Sequence, residues 1–529
     1  MNLKLFLSAI LFFIFPLAVL FAQEGARQGI SEDAAIVYVI REINFDVEGS
    51  SRPFALINHG EFRYGERIKG KENLDRYLAL KRQLLINQQV LEEVKIEYLL
   101  GGREDDGALP VRLLVYVRDT WNFIILPYPE YDSNEGFSIT LKARHFNFLG
   151  TMSPIGLDFG YAQNDGEHEI NFSIESNVPF YAAGLNWNIR FDNYLGYTFD
   201  DPLYYQNVTG ISVRFPWHGT VLTVGFNQFL TANEENSDEN KEIYALDDRY
   251  DGVYGSTELY ASYRIPLGIE IGDFGQLSYI PRLSGRINYP YGSMDESRKP
   301  ITTFSHSIGF GRVNWIDNYR KGLSASIGNS NSWFFDRTDA PLKIDLGGNV
   351  SFYWQFIDFM GFASRLNYRQ WWHWSESMDA YIPHFNSGDM IRGVLNSDIR
   401  AYQILSLNLD LPVRVLRFWP SEWFNNERLR FFNFEMHFSP FTDLAFFRGP
   451  YNKLKDKDNP DDGKTSFTLA DMINTAGLEV LVYPGSFRSL NIRGSLGYNL
   501  RKIGNEGLNL RWGFFPVWDE IFMGLSFHF

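Results

Sequence analysis

GDMIRGVLNSDIRAYQILSLNLDL, residues 388–411, is a polar loop that runs into a regularly alternating segment. The loop half carries an Arg-Gly pair inside the tetrapeptide Ile391, Arg392, Gly393 and Val394. In the other half leucine occupies every second position from Leu405 to Leu411, and the residues between the leucines are polar. Because successive side chains of a strand point to opposite faces, this alternation predicts a β-strand with one apolar and one polar side.

The same period of two returns many times between about Trp121 and Phe529. Clear examples are residues 137–144, 185–192 and 432–438. Charged residues are common on the polar side, and aromatic residues make up 17% of the chain. A soluble sandwich of two sheets also alternates, but it rarely uses so many long strands in one domain. The pattern therefore predicts a mainly β fold, with a transmembrane antiparallel β-barrel and a water-filled lumen over residues 121–529.

The connections between these strands alternate in length. Short turns are predicted at 148–151, around 177–180, around 216–219 and at 484–486, and long polar loops at 193–205, 231–255, 290–299, 372–399 and 448–465. Outer-membrane barrels keep short turns on the periplasmic side and long loops outside. This alternation predicts that the domain before the barrel lies in the periplasm.

A small mixed domain precedes the barrel, over about residues 36–119. Alternating apolar residues predict strands near 43–47, 94–100 and 111–117, and three- and four-residue spacing predicts a helix over 71–87. A shorter helix is predicted to begin at Pro53. Such a module can pair an exposed strand edge with an extended client chain, or it can act as a spacer or as a dock for another subunit. Both interpretations stay open.

Composition and the N-terminus narrow the class of protein. The 529 residues contain no Cys, which excludes disulfides and thiolate metal sites, and the net charge of −15 argues against nucleic-acid binding. Residues 1–22 have the positive start, apolar core and small-residue end that are typical of a signal peptide. The alternative is an uncleaved membrane anchor, although the apolar run is barely long enough to span a bilayer.

Four features, in chain order, resemble the BamA-like outer-membrane protein assembly superfamily. They are the mixed domain, which resembles a POTRA domain, the turn Asn147-Phe148-Leu149-Gly150-Thr151, which resembles the family's Asn-x-x-Gly-Thr turn, the Arg-Gly loop, and an alternating strand that ends at Phe529. The resemblance implies about sixteen strands, so that two of about eighteen candidate segments, between Gln276 and Phe356, would be fragments of longer strands. Two features of this chain depart from the family's pattern. It has a single POTRA-like domain, and it has Val394 where the family usually has an aromatic residue.

The resemblance also implies an interior partner for Arg392, because the family's loop folds back into the barrel and a carboxylate holds its Arg. A guanidinium inside a barrel is costly unless it is paired. Candidate partners lie on a strand predicted over 429–446. They are Asp443, in a segment that resembles the family's Phe-x-Asp, and Glu435, which has the same parity unless Pro440 introduces a bulge. The alternative is that Arg392 is one of many solvated loop arginines.

The seam where the first and last strands meet is the second candidate site. Its residues are Pro127 and Pro129 of the first strand and Gly524, Phe527 and Phe529 of the last. Proline cannot donate a ladder hydrogen bond, so this seam would be poorly paired and could offer an edge to a client strand. The alternative is that the two prolines end a strand before the membrane begins.

The resemblance implies an outer-membrane protein that assists the insertion or translocation of other proteins without covalent chemistry, cofactor or metal. Its partners would be the lipid bilayer, unfolded outer-membrane proteins and accessory periplasmic lipoproteins. The alternative is a barrel of the same superfamily that acts as a channel, surface antigen or adhesin. No Gly-x-Ser-x-Gly, His-Glu-x-x-His or Walker motif occurs, so no enzyme activity is expected.

Overall fold

The structure is a computed structural model, and its described residues cover most of the chain. They are 36–132, 136–164, 167–199, 203–217, 220–232, 253–290, 300–335, 342–374, 385–386, 390–395, 399–449, 451–452, 467–485, 490–500, 510–511, 515–516 and 520–527. The predicted signal peptide and Phe529 lie outside this set. Among the described residues, no helix is both long enough and apolar enough to cross a membrane.

The N-terminal domain, called the head below, is a four-stranded sheet covered by two helices. Its elements are β1 (Val37–Glu48), α1 (Pro53–His59), β2 (Arg67–Lys69), α2 (Lys71–Ile86), β3 (Leu91–Leu100) and β4 (Leu109–Asp119). The strand order is β2-β1-β4-β3, with β1 and β4 parallel in the centre. The three-residue strand β2 was not predicted, because so short a segment shows no period.

Spaced leucines of the helices build the core of the head. Leu56 of α1 and Leu74 and Leu85 of α2 are fully buried, and they pack in one cluster with alternate residues of β4 such as Leu113 and Val115. The spacing of eleven between the two α2 leucines keeps both on the face that meets the sheet. The helix is therefore held mainly by its apolar stripe.

The rest of the chain forms strands that follow one another around a closed sheet, with a few short pairs in the connections. The strands are β5 (Phe123–Asp132), β6 (Gly136–His145), β7 (Ile155–Asn164), β8 (Glu167–Ala182), β9 (Leu185–Thr198), β10 (Tyr204–Trp217), β11 (Thr220–Ala232), β12 (Val253–Glu270), β13 (Gln276–Pro290), β14 (Ile301–Ile316), β15 (Tyr319–Phe334), β16 (Leu342–Ile357), β17 (Met360–Trp374), β18 (Phe385–Asn386), β19 (Ile399–Ala401), β20 (Gln403–Asp410), β21 (Val413–Phe418), β22 (Phe434–Arg448), β23 (Tyr451–Asn452), β24 (Ile473–Pro484), β25 (Leu490–Asn499), β26 (Leu510–Arg511), β27 (Phe515–Pro516) and β28 (Glu520–Phe527). A short helix, α3 (Pro420–Trp423), follows β21.

The closed sheet confirms the predicted antiparallel barrel. Within the described part of the chain it contains nineteen segments, of which β20 and β21 occupy one position because both lie between β17 and β22. Eighteen strands therefore go round the barrel, two more than expected. The region from Gln276 to Ile357 forms four separate strands of 15 or 16 residues, so the candidate segments there are complete strands and not fragments.

The two faces of the barrel wall differ in polarity. On β22, residues of odd number from Glu435 to Phe447 are buried, while Phe438 is exposed on the outer face. Pairing of β22 with β24 runs from Phe434 to Ala445 without a shift, so Pro440 does not break the parity. Exposed apolar residues on other strands, such as Phe137 and Leu259, continue the outer surface. This surface is suited to hydrocarbon and the interior to water.

One short turn lies in a different place from the prediction. The expected turn around 177–180 falls inside β8, which continues to Ala182 and pairs with β9 throughout. The chain reverses at Ala183 and Gly184, and both residues have positive φ, 52° and 77°. Two consecutive residues of positive φ form the tight hairpin turn whose twist matches antiparallel strands. Pro179 therefore lies within a strand.

The turn after β6 joins the barrel to the head. Asn147 is fully buried, and its amide Nδ2 donates to Ser51 Oγ at 2.7 Å and to Asp119 Oδ2 at 3.0 Å. Gly150 has φ +72° and approaches the Ser50 carbonyl so closely that a Cβ would clash with it. The Asn-x-x-Gly-Thr turn therefore fastens the start of the barrel to β4 and the β1–α1 connection.

The head also reaches the opposite side of the barrel base. Gln83 Nε2 of α2 donates to the Trp315 carbonyl at 3.0 Å, and Asn87 exchanges hydrogen bonds with Asn314 and the Trp315 amide at 3.1 and 3.0 Å. Arg430, in the connection after β21, lies 2.6 Å from Glu92 of β3. These contacts place the head across the end of the barrel at which β5 begins.

His59 lies where the head meets the barrel. Burial lowers the pKa of its imidazole below the ordinary value of about 6.5, and the charge of Arg214 on β10 lowers it further. The hydrogen bonds that the imidazole makes with the Thr151 backbone and the Gln88 side chain act in the opposite direction and raise the pKa. The folded protein therefore binds this proton more weakly than the unfolded chain. The stability from His59 is present above about pH 6.5 and is lost as the pH falls below that value.

We therefore expect the thermal unfolding midpoint in detergent to fall on acidification from about pH 7.5 to about pH 5.5. A His59→Gln variant, which cannot be protonated, should show a smaller fall over the same range. Equal pH dependence of the two proteins would contradict the role assigned to His59.

Candidate functional site

The loop around Arg392 lies inside the barrel and is anchored there by aliphatic residues. Ile391 and Val394 are both 2% exposed and belong to a buried cluster on the inner wall. The other members of the cluster are Ile399, Ala401, Ile404, Ala445, Phe447 and Ile473. Val394, at the position where the resemblance would have placed an aromatic residue, is one of the buried members of this cluster. The described residues around Arg392, 390–395, are thus packed against β20, β22 and β24.

Arg392 is held by two carboxylates. Its Nη2 and Nε donate to the two oxygens of Asp443 at 2.7 and 3.0 Å, and its backbone amide donates to Asp443 Oδ2 at 2.8 Å. Its Nη1 donates to Asp410 Oδ1 at 2.5 Å. The Asp443 side chain is fully buried and Arg392 is 13% exposed. The paired, two-oxygen geometry fixes the plane of the guanidinium and compensates the buried charge.

Further charges extend this contact across the lumen. Glu479 of β24 lies 3.7 Å from Arg392 and accepts a hydrogen bond from Arg493 of β25 at 2.8 Å. Arg365 of β17 lies 3.6 Å from Asp410. The cluster therefore contains three guanidinium groups and three carboxylates, contributed by the Arg392 loop and by five barrel strands. The Phe441 ring centroid lies 3.8 Å from Arg392 Cζ and adds a cation–π contact.

Two glycines let the loop approach the wall. Gly393 has φ +85°, a conformation that favours glycine, and a Cβ there would lie 2.9 Å from the Tyr498 amide nitrogen. Opposite it, a Cβ on Gly497 of β25 would lie 2.5 Å from the Gly393 nitrogen and 2.6 Å from its Cα. The backbone of the loop therefore lies directly against the backbone of β25, which sets the depth of Arg392.

Replacing Gly497 with Ala should push the loop away from β25 and lower the free energy of unfolding by about 1–3 kcal/mol, the usual cost of overpacking. The effect is measurable as a lower unfolding midpoint in detergent. Gly494→Ala on the same strand is the matched control, because a Cβ at Gly494 meets nothing within 4 Å. Equal midpoints for the two variants would show that the close approach is unimportant.

Glu435, the other candidate partner of Arg392, contributes to a different cluster. It has the parity of Asp443 but lies eight residues closer to the head, about 26 Å along an extended strand. Its carboxylate accepts from Asn318 at 2.9 Å and lies 3.4 Å from both Arg414 and His437. The strand that carries both acids begins at Phe434, because residues 427–432 form a 3-10 helix and not the predicted strand.

Sequence reasoning missed Asp410 and Glu479. Asp410 is the charged residue of the polar face of 405–411, and β20 carries that face into the lumen beside the loop that precedes it. Its signal is an inward-facing carboxylate on the strand that directly follows the Arg-Gly loop. Glu479 gives no comparable signal, because only the closed sheet brings β24 to Arg392.

The seam between β28 and β5 is thinly paired. Among the described residues, two pairs close it, Phe522 with Asp132 and Met523 with Tyr131, both at the end away from the head. By contrast, β5 pairs with β6 over ten residues and β28 with β25 over eight. Continuing the seam register toward the head would set Leu525 opposite Pro129.

The other predicted seam residues lie on the head side of these two pairs or beyond the described chain. The same register would set Gly524 opposite Glu130 and Phe527 opposite Pro127. Neither of these two pairings occurs among the described residues. Phe529 lies outside the described residues. Within those residues, no group of His, Asp and Glu is arranged to hold a metal ion.

Comparisons with known proteins give structural likeness and no sequence match. No protein-family model matches the chain, and no curated protein matches its sequence. CdiB from Acinetobacter baumannii has a TM-score of 0.46 and 11% identity, over 92% of this chain and 74% of that one. CdiB from Escherichia coli has a TM-score of 0.48 and 12% identity, over 92% and 76%. BamA from Haemophilus ducreyi lacking POTRA domains 1–3 has a TM-score of 0.37 and 14% identity, over 92% and 84%.

Proposed function

We propose that this protein is a BamA-like barrel of the outer membrane that assists the insertion or translocation of other proteins. The observation that carries the proposal is the seam, where two described residue pairs close a barrel whose other neighbouring strands pair over long stretches. In this proposal residues 1–22 direct export, and residues 36–119 act as a POTRA-like domain in the periplasm.

The prolines of β5 support an opening at the seam. Pro127 and Pro129 are two residues apart, so their missing N–H groups face the same edge of the strand. Because β5 pairs with β6 along its full length, the weak edge is the one that faces β28. A client strand could pair with an opened edge and enter the membrane by β-augmentation.

The head offers a second strand edge. β3 is the outer strand of the head sheet, and Leu99 and Leu100 near its end are exposed. Arg82 of α2 donates to the Val94 carbonyl at 2.9 Å, so the barrel-proximal part of this edge is already occupied. We propose that the distal part of β3 receives an extended client chain before it reaches the seam.

The occupied lumen favours this function over that of an open channel. The Arg392 loop contacts carboxylates from three strands of the wall, and the head lies across one end of the barrel. A path through the lumen would require both to move, whereas a path through the seam breaks two described pairs.

Depletion of the protein tests the proposal. Other outer-membrane barrels should then fall in the membrane fraction and accumulate unfolded in the periplasm. Purified protein in lipid vesicles should accelerate folding of a client barrel over vesicles alone. Normal levels of other barrels after depletion, with no acceleration in vesicles, would favour a channel, surface antigen or adhesin.

The same proposal predicts periplasmic partners. A pull-down of the full chain in mild detergent should recover unfolded barrel proteins, and accessory lipoproteins where the assembly uses them. A matched pull-down with the Tyr131→Cys, Met523→Cys variant, oxidised to lock the seam, should recover less client. Equal recovery would place the client contact away from the seam.

A further inference from the structure

The connection between β21 and β22, residues 419–433, has fifteen residues and is longer than the other connections at the head end of the barrel, such as the nine residues between β6 and β7. The β14–β15 and β16–β17 connections there have two residues each. Residues 419–432, called the rim segment below, contain α3 and a 3-10 helix over Glu427–Phe432. The segment is therefore an ordered structure at the barrel rim and not a simple reversal of the chain.

The inner side of the rim segment is polar and faces the head. Arg430 Nη2 lies 2.6 Å from Glu92 Oε1, and Asn433 Nδ2 donates to Ser421 Oγ at 2.6 Å. Between the rim segment, α2 and the barrel base lies a cavity of about 720 Å³. These contacts fix the orientation of the segment, so its opposite side must face away from the head.

The rim segment also carries four large aromatic residues whose side chains are mostly exposed. Trp423, Phe424, Phe431 and Phe432 are 59–70% exposed. Isolated exposed apolar residues are ordinary, but four aromatic rings in ten positions form a patch that marks an interaction surface. Arg428 lies between the two aromatic pairs in sequence and is also exposed.

The patch continues the outer face of the barrel. Phe418 of β21 pairs with Phe434 of β22, and their ring centroids are 5.3 Å apart. Phe434 has the parity of the outward-facing Phe438. Trp423 packs edge-on against Phe418 at 5.0 Å. A column of rings thus runs from the lipid-facing wall onto the rim segment.

From this continuity we propose that the rim segment is a membrane foot that inserts its aromatic side into the phospholipid headgroup region of the periplasmic leaflet. Tryptophan and phenylalanine beside arginine are the residues that bind at this depth, because rings enter the acyl boundary while guanidinium groups meet phosphates. The foot would hold the barrel wall at a fixed height beside the Glu92–Arg430 contact with the head.

Single-cysteine labelling tests the foot, since the chain contains no native Cys. An environment-sensitive fluorophore is attached to Trp423→Cys or Phe431→Cys in vesicles of phosphatidylethanolamine and phosphatidylglycerol. Its emission should shift to the blue and be quenched by lipid with a headgroup nitroxide more strongly than by lipid with a deep acyl nitroxide. Water-soluble quencher should have little effect.

Two labelled positions of similar exposure calibrate the measurement. Tyr64→Cys in the head should respond to water-soluble quencher alone, and Leu259→Cys on the outer wall should respond to the acyl nitroxide. A rim label that behaves like the Tyr64 label overturns the proposal, as does protection that appears only after a client polypeptide is added. The measurement requires a folded barrel but no insertion activity. A negative result would therefore overturn the membrane foot without bearing on the proposed function.

Discussion

An Arg392→Ala variant is expected to lose about 3–5 kcal/mol of unfolding free energy, the loss typical of removing one partner of a buried ion pair. The variant leaves Asp443 fully buried without its two guanidinium hydrogen bonds, and it leaves Asp410 and Glu479 beside it without the charge that separates them. The loss should appear as a lower midpoint in thermal or denaturant unfolding of the barrel in detergent. Client insertion should fall with it, because the loop no longer braces the wall.

Two further variants make this expectation specific. Arg392→Lys keeps the charge but cannot bind both oxygens of Asp443 in one plane, so it should recover part of the loss. Arg190→Ala removes an exposed arginine whose pair with Asp192 is solvated, and it should change stability by at most about 1 kcal/mol. An Arg392→Ala protein as stable as the Arg190→Ala protein would show that the loop arginine is not part of the framework.

A disulfide across the seam is expected to stop client insertion. Met523 and Tyr131 oppose each other on β28 and β5. Opposed residues of an antiparallel pair have Cα atoms about 4.5–5.5 Å apart, within the range that a disulfide spans. Replacement of both residues by Cys and oxidation should therefore close the seam permanently. Insertion of a client barrel into vesicles should fall to the lipid-only rate, and reductant should restore it.

The control pair lies one strand away on the same outer face. Phe137 and Gln163 oppose each other on β6 and β7, where pairing is continuous, so their disulfide adds no constraint that the ladder lacks. Oxidation of this pair should leave insertion unchanged. If the oxidised seam variant inserts clients at the wild-type rate, the seam is not the route.

The architecture was largely predictable because the wall separates two solvents. Each strand must alternate, and the sequence shows this alternation from 137–144 to 521–529. Strand ends were less predictable. Asn177 and Pro179 have the composition of a turn, yet they lie within β8, because cross-strand pairing with β9 outweighs local preference. The reversal uses Ala183, whose residue type gives no warning of a positive φ.

The charge cluster was only partly predictable for a different physical reason. Parity along one strand places Asp443 and Glu435 on the same face, but it contains no information on height within the barrel. Height depends on how deep the loop descends, which the Gly393–Gly497 contact determines through sheet closure. The pairing of Glu479 with Arg392 requires two strands that are far apart in sequence, so no local pattern reports it.

The strands on the two sides of the β5–β28 seam are held by different contacts. On one side, β5 begins shortly after β4 of the head ends. Asn147 and Gly150 also tie the turn after β6 to the same part of the head. On the other side, the Arg392 loop links β20, β22, β24 and β25, the strands that lead to β28, through its network of ion pairs. Under the proposed function, a polypeptide that displaces the head would therefore move β5 and leave the strands held by the Arg392 loop in place.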